Sequence, residues 1–293
     1  MNGECNQSNN YLLITPCKNE GSNLPQVIEG VASQTILPSL WLIVDDGSTD
    51  NTFQVVEEAR LRYNWIEILR LEESYRDLGL HLAEVMKKGF DYAISLCVNR
   101  GIEYFYVGNL DGDIVLPPTF YRNLIFEMRN NLKLGIVSGG TVYTVNGKQV
   151  MSKLHSTEPS GGHMLIRKAC FEDCGGILVS YSADSVLKAK SRLKGWDTKR
   201  FDKYIAIELR DVSSAEGYWK GLIKMGESFY YLNYHPFNAI ARSFRYSRRK
   251  PYYGMIPFFI GYFKGFINQQ QIEDEELKDY FWNKWKTRYN KGN

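Results

Sequence analysis

Short apolar runs that alternate with helical patterns constrain this chain more than any other feature. Tyr11-Leu-Leu-Ile-Thr15 reads as a buried strand ending at Pro16, and Leu40-Trp-Leu-Ile-Val44 reads as a second. Between them, Gly21-Ser22-Asn23 offers a helix start before Leu24, Val27, Ile28 and Val31, which share one helical face. Asp50-Asn-Thr opens a helix through Val55, Val56 and Ala59 to Leu61, and Ile66 to Leu71 is a third strand. A helix from Leu80 to about Ile94 precedes a fourth strand, Tyr104 to Leu110. A helix from Thr119 to about Arg129 and a fifth strand from Leu134 to Val142 complete the series. The pattern predicts the α/β class, with a Rossmann-like, mostly parallel sheet covered by helices on both faces. Ligands of such sheets collect outside the carboxyl ends of the strands. That rule selects three loops, Pro16 to Gly21, Asp45 to Asp50 and Asp111 to Pro117.

After Val142 the pattern loosens. Gly147 to Gly162 is polar and turn-rich, as a mobile loop over a site would be. A helix from about Ala183 to Lys194 is stopped by Gly195. The last stretch is basic and aromatic, then apolar from Gly254 to Ile267, then an amphipathic helical tail from Glu273 to Tyr289.

Composition removes several classes of function. A net charge of +3 on 293 residues gives no electrostatic footprint for nucleic acid. Hydrophobic residues at 44% and charged residues at 24% exclude a disordered chain and a multi-span membrane protein. No apolar run approaches the roughly 20 residues that span a bilayer, and the polar stretch Met1 to Asn10 is unlike a signal peptide. Five cysteines without paired metal spacing read as reduced thiols and suggest the cytoplasm. Cys170 and Cys174 have no second half to complete a zinc site.

Two acidic motifs close strands. Asp111-Gly112-Asp113 can turn two carboxylates into one cleft, and such oxygen ligands suit Mg²⁺ or Mn²⁺ shared with substrate phosphates, although Asp-Gly-Asp is also an ordinary turn. In Asp45-Asp46-Gly47-Ser48-Thr49-Asp50, Asp50 is the better helix cap and Asp46 the better ligand for a base or ribose. No Gly-x-Gly-x-x-Gly follows an early strand and no Walker lysine motif is present, which argues against a dinucleotide cofactor or P-loop chemistry.

Taken in order, Thr15-Pro-Cys-Lys-Asn-Glu20, Val44-Asp-Asp-Gly-Ser-Thr-Asp50 and Leu110-Asp-Gly-Asp-Ile-Val-Leu-Pro117 resemble family 2 of the glycosyltransferases. Ser160-Gly-Gly-His-Met-Leu-Ile-Arg167, Cys174-Gly-Gly176, and Ala183-Asp184 with Leu187, Arg192, Leu193 and Gly195 extend the likeness to about residue 200. The resemblance implies a GT-A fold and transfer of a sugar from a nucleoside diphosphate with inversion. It also implies that Thr15, Pro16, Asn19, Glu20, Asp46, Ser48, Asp111 and Gly112 line the nucleotide-sugar pocket. Asp113 would ligate Mn²⁺ or Mg²⁺, with Asp111 or His235 as further ligands, and Asp184 would be the general base. Gly161, Gly162 and His163 would lie on the acceptor side. Three departures stand out. Ala183 occupies the place of the glutamate that usually precedes the base, and the Gln-x-x-Arg-Trp of processive synthases is missing, so a single-transfer enzyme is expected. The segment Arg76 to Ala83 replaces the family's usual helix before the metal motif, and either Arg76 or His81 is open to a phosphate role.

The expected organisation is a catalytic domain over 1–235, with a nucleotide-binding half at 11–117 and an acceptor-side half at 118–235, followed by a C-terminal helical extension over 236–293. Arg242, Arg245, Arg248, Arg249 and Lys250 lie just upstream of the apolar segment, so residues 242–267 suit contact with an anionic membrane surface. The expected acceptor is then a glycan or a lipid-linked sugar, and the location is cytoplasmic or peripheral at the cytoplasmic membrane face. Two rivals remain from the residues alone: a nucleotidyltransferase that makes sugar nucleotides, and an inactive relative that binds sugar or lipid as a scaffold.

Overall fold

The computed structural model describes residues 9–72, 79–145, 147–210, 217–248 and 252–289. Arg76, Arg249 and Lys250, singled out above, lie outside the described residues. The chain runs β1 (Tyr11–Cys17), α1 (Leu24–Ala32), β2 (Leu40–Asp45), α2 (Thr52–Arg62), β3 (Ile66–Arg70), α3 (Leu80–Arg100), β4 (Tyr106–Asn109), β5 (Ile114–Val115) and α4 (Phe120–Asn130). It continues with β6 (Leu134–Val145), β7 (Lys148–Met151), a 3-10 turn at Gly161–His163, β8 (Leu165–Arg167), α5 (Lys168–Asp173), α6 (Ala183–Leu193) and β9 (Asp197–Glu208). Four helices close it: α7 (Tyr218–Tyr231), α8 (Pro236–Ser247), α9 (Met255–Asn268) and α10 (Glu275–Tyr289).

One sheet carries the order β3-β2-β1-β4-β8-β6-β9-β5, with β7 paired to β6. Its first four strands are parallel to one another, as the alternation requires. β8 enters antiparallel between β4 and β6, and β9 then runs parallel to β6. Side chains alternate between two cores on opposite faces of the sheet. Tyr11, Leu13, Trp41 and Ile43 pack with α1, α2 and α4, while Leu12, Ile14, Leu42 and Val44 pack with α3, α5 and α6. The α/β class, GT-A architecture and two-sided helical cover expected from the sequence are thus present.

Differences from the expected elements have local causes. β1 passes through Pro16 to Cys17 because β4 has already parted from it: the last pair on that side is Ile14 with Asn109. Pro16 would direct its N–H toward that vacated side, so no ladder bond is lost. α3 runs past Ile94 to Arg100 and ends at Gly101, whose φ of 65° supplies the left-handed stop. The polar stretch after Gly147 begins with a strand, β7, and its remainder is tied down. Ser152 N–H donates to Thr141 O at 2.8 Å, Lys188 to Pro159 O at 3.0 Å, and Glu158 pairs with Lys284 at 3.1 Å and Arg192 at 3.3 Å. Burial opposes ionisation of Glu158, yet Lys284 and Arg192 hold its carboxyl down to about 2. The mobile-loop expectation therefore gives way to an anchored segment. The expected boundary at 235/236 falls between α7 and α8. Across it α7 packs on α9, Gly226 against the Phe258 backbone and Gly261 against that of Ile223, where neither backbone leaves space for a Cβ.

Candidate active site

The carboxyl ends of β1, β2 and β4 bring the three early loops together. Asn19 turns in the left-handed region at φ 55°, and its Oδ1 accepts from Thr49 N–H at 2.8 Å. Asn19 N–H donates to Ser48 Oγ at 2.9 Å, and Ser48 N–H donates to Asp45 Oδ1 at 2.9 Å. Glu20 N–H donates to Thr52 Oγ1 at 2.8 Å, and Gly21 N–H to Asp50 Oδ2 at 3.0 Å. Asp50 also accepts from Thr52 N–H at 3.0 Å, so it secures the start of α2 as expected of a cap. These bonds make the first two loops one rigid clasp.

The clasp redistributes roles among the expected nucleotide contacts. Thr15 is fully buried and its Oγ1 accepts from Trp41 Nε1–H at 2.9 Å, so it serves the core rather than the pocket wall. Ser48 is buried and spends its hydroxyl on Asn19, and Pro16 is a strand residue behind the loop. Asp46 keeps both oxygens 3.0 Å from His81 Nε2, which answers the open question over His81 with a carboxylate partner. Gly112 lies against Glu20 and Cys17, where a Cβ would come 3.1 Å from Glu20 Cγ.

Asp111 and Asp113 leave the end of β4. Asn109 Nδ2–H reaches Asp111 Oδ1 at 3.1 Å and Gly161 O at 2.9 Å, and Asp111 N–H donates to Gly162 O at 2.8 Å. The 3-10 turn is therefore stitched to the acidic motif. A Cβ on Gly162 would stand 2.6 Å from Asp111 Oδ2, and one on Gly161 would stand 2.8 Å from Asp184 Oδ2. Only glycines let both carboxylates close on this backbone. Asp184 sits in the first turn of α6, and Lys188, buried one turn on, donates to its Oδ2 at 2.8 Å.

Electrostatics mark the same place. Burial raises the Asp111 carboxyl to about 7, with Asp113, Glu208 and Asp184 adding to the rise against the hydrogen bond from Asn109. Glu208 is also raised, by burial and then by Asp113. Like charges about 4 Å apart repel by about 4 kcal/mol near a protein surface, so such a group calls for a cation. Arg210 supplies one: its Nε lies 3.0 Å from Asp113 Oδ2 and its guanidinium also pairs with Glu20. Crowded carboxylate oxygens are a donor set that suits a hard divalent cation, whose charge would offset the repulsion that raises Asp111. Among the described residues no three His, Cys, Asp or Glu side chains form a ready cage.

Two expected histidine roles need correction. His235 caps α8, its Nδ1 accepting from Phe237 N–H at 3.3 Å and its ring meeting Trp282, so it is not brought to Asp111 and Asp113. His163 is fully buried against Phe120 and donates through Nε2 to Gly139 O at 3.3 Å, which closes it to an acceptor. Sequence reasoning did not select Asn109, Lys188, Glu208 or Arg210. Lys188 carried a signal, since it follows Asp184 by one helical turn. Glu208 and Arg210 carried none, because pairing of β5 with β9 brings them to Asp113 from far along the chain.

Residues 12–185 match the sequence profile described as "Glycosyl transferase family 2", and the chain belongs to that family. It is 24% identical over 213 residues to a poly-beta-1,6-N-acetyl-D-glucosamine synthase of Staphylococcus epidermidis, a span of 71% of this chain and 47% of the relative. It is 30% identical over 134 residues to a chondroitin synthase of Escherichia coli, covering 46% of this chain and 17% of that one. The chain thus spans about half the length, or less, of these relatives. Among solved structures it resembles a mannosyltransferase from Pyrobaculum calidifontis in complex with GDP-Man and Mn²⁺, at TM-score 0.54 and 16% identity over 92% of this chain and 72% of that one. It also resembles S. aureus TarS 1-349 in complex with UDP-GlcNAc, at TM-score 0.52 and 16% identity over 92% and 78% of the two chains. At these identities the structures establish the shared fold.

Burial lowers His163 to about 4 from an ordinary value near 6.5. A depressed pKa gives stability that is full above the unfolded value and is lost as pH falls from 6.5 toward 4. Denaturant unfolding should show His163→Gln losing less stability than the parent across that window, by up to about 3 kcal/mol. Equal losses in the two proteins would refute the neutral, buried placement.

Proposed function

We propose that this chain is an inverting, metal-dependent glycosyltransferase that moves one sugar from a nucleoside diphosphate to an acceptor hydroxyl. The observation that supports this reading is the juxtaposition at Gly161 and Gly162, where Asp184 closes on the first glycine and Asp111 on the second, with the Asp113 charge acting on Asp111. Asn19, Glu20 and Asp46 surround the nucleotide, with Asp46 accepting from base or ribose. Asp111 and Asp113 would hold Mn²⁺ or Mg²⁺, and an ion there supplies Lewis-acid stabilisation of charge on the departing diphosphate. Asp184, oriented by Lys188, draws the proton from the acceptor hydroxyl as that oxygen attacks the anomeric carbon. The proton ends on Asp184, the glycosidic bond to phosphate breaks, and a single displacement inverts the anomeric centre.

A screen of nucleotide sugars for metal-dependent donor hydrolysis tests this directly. At least one donor should be turned over with Mn²⁺ or Mg²⁺. Asp113→Ala should lose about 100-fold or more, and Asp184→Asn should keep donor binding while losing transfer. Failure of every donor to bind, or indifference to Asp113→Ala, would overturn the reading.

The proposed acceptor is a glycan or lipid-linked sugar, met at an anionic membrane surface on the cytoplasmic side. The C-terminal layer supports this. α9 leaves Ile260, Phe263 and Ile267 at 46, 59 and 76% exposure, α8 leaves Phe237 and Phe244 exposed, and exposed Arg245 and Arg248 stand near them in sequence. Among the described residues no helix is long and apolar enough to cross a membrane, so contact would be interfacial. The protein should co-sediment with phosphatidylglycerol vesicles and less with phosphatidylcholine. The double substitution Ile260→Glu and Phe263→Glu should reduce that binding by about 10-fold or more. Absence of partitioning into anionic vesicles would remove the membrane surface as partner.

A further inference from the structure

A side-chain cation, Arg210, stands among the carboxylates of the site. Glu20 from the first loop and Asp113 from the third both turn to the guanidinium of Arg210, with Nε 3.0 Å from Asp113 Oδ2. Asp113, the expected metal ligand, is thus engaged by a side chain of the same chain. Arg210 stands just beyond β9, whose Glu208 pairs with Ile114, and Leu209 N–H donates to Asp113 O at 2.8 Å. The backbone therefore fixes Arg210 beside the acidic motif, while its side chain remains 28% exposed on the cleft side of that anchor.

Two cations cannot share the Asp113 oxygens without strong repulsion. A guanidinium is also the side chain best shaped to grip diphosphate oxygens through paired N–H donors. We infer that Arg210 competes with the divalent cation for Asp113, pairing with Glu20 and Asp113 when neither metal nor nucleotide is bound and turning its guanidinium to the diphosphate when both bind together. The inference rests on the reading of the site as one for metal and nucleoside diphosphate, and it adds an order of events to it. Metal alone must displace Arg210 from Asp113 at the cost of that ion pair, so metal alone binds weakly. Metal with a diphosphate gives every charge a partner: the carboxylates take the ion and Arg210 takes the phosphate. Binding of the two is therefore cooperative, and by linkage each raises the affinity of the other by the same factor.

The test measures Mn²⁺ binding by electron paramagnetic resonance, without nucleotide and then with UDP or GDP, on the full chain and on Arg210→Gln and Arg210→Lys. In the parent, saturating nucleoside diphosphate should tighten Mn²⁺ binding by about 10-fold or more. Arg210→Gln, which removes the competing charge, should bind Mn²⁺ alone about 5-fold or more tightly than the parent, yet bind the nucleotide with Mn²⁺ about 10-fold more weakly. Arg210→Lys keeps the charge and loses the fork, so its Mn²⁺ affinity alone should stay near that of the parent while nucleotide binding falls. A merely structural arginine would weaken both ligands together. If Arg210→Gln binds Mn²⁺ alone no more tightly than the parent and than Arg210→Lys, the inference of competition is overturned. If the parent binds neither UDP nor GDP, the donor reading is what fails, and the metal-alone comparison still decides the role of Arg210.

Discussion

A backbone hydrogen bond from Asp111 N–H to Gly162 O, with two glycines carrying it, is the constraint on which this site depends. It joins the end of a parallel strand to the turn that leads into an antiparallel one, at the point where the sheet changes direction. Because neither glycine has a Cβ, Asp184 and Asp111 approach adjacent residues of the same backbone, at distances that a single methyl group would occupy. Asp111 and Asp184 are therefore brought to one place by the sheet topology. The first two loops add rigidity, since each satisfies the other's backbone donors through Asn19, Ser48, Asp50 and Thr52.

The same closeness creates an electrostatic problem. Burial disfavours charge at Asp111, and Asp113, Glu208 and Asp184 add their repulsion, so that its carboxyl rises to about 7. Arg210 relieves part of this through its pair with Asp113. A site so arranged holds its carboxylates in place without collapsing onto solvent, and it favours a ligand that brings positive and negative charge together. A metal ion bound to a sugar diphosphate is such a ligand.

The parallel half of the fold was legible because its strands are buried on both faces and its helices carry one apolar stripe. Leu24, Val27, Ile28 and Val31 all reach the core, and the three strand-end loops converge as the alternation implied. β7 was missed although Asn146-Gly147 is a hairpin signal, because the strand beyond it is wholly exposed and so lacks an apolar face. β9 was missed because its charged residues alternate poorly, and its place comes from long-range pairing with β6. At the site, carboxylates announced themselves through motif position, but their cation did not. Arg210 is one arginine among many until β5 and β9 pair. His163 and His235 show the converse error: polar side chains near a motif in sequence can still be packing or capping groups. Thr15 misled in the same way, its hydroxyl being spent on Trp41 inside the core.

The central claim is that Asp111, Asp113 and Asp184 face one cleft that takes a divalent ion with a nucleoside diphosphate. A crystal of this chain grown with Mn²⁺ and UDP or GDP, and measured for anomalous scattering at the manganese edge, tests it most directly. The account expects one anomalous peak within about 2.0–2.6 Å of an Asp113 carboxylate oxygen, bridged to the diphosphate, with Asp184 across the cleft from it. A peak remote from Asp113, or a nucleotide bound away from the Gly161–Gly162 turn, would contradict it.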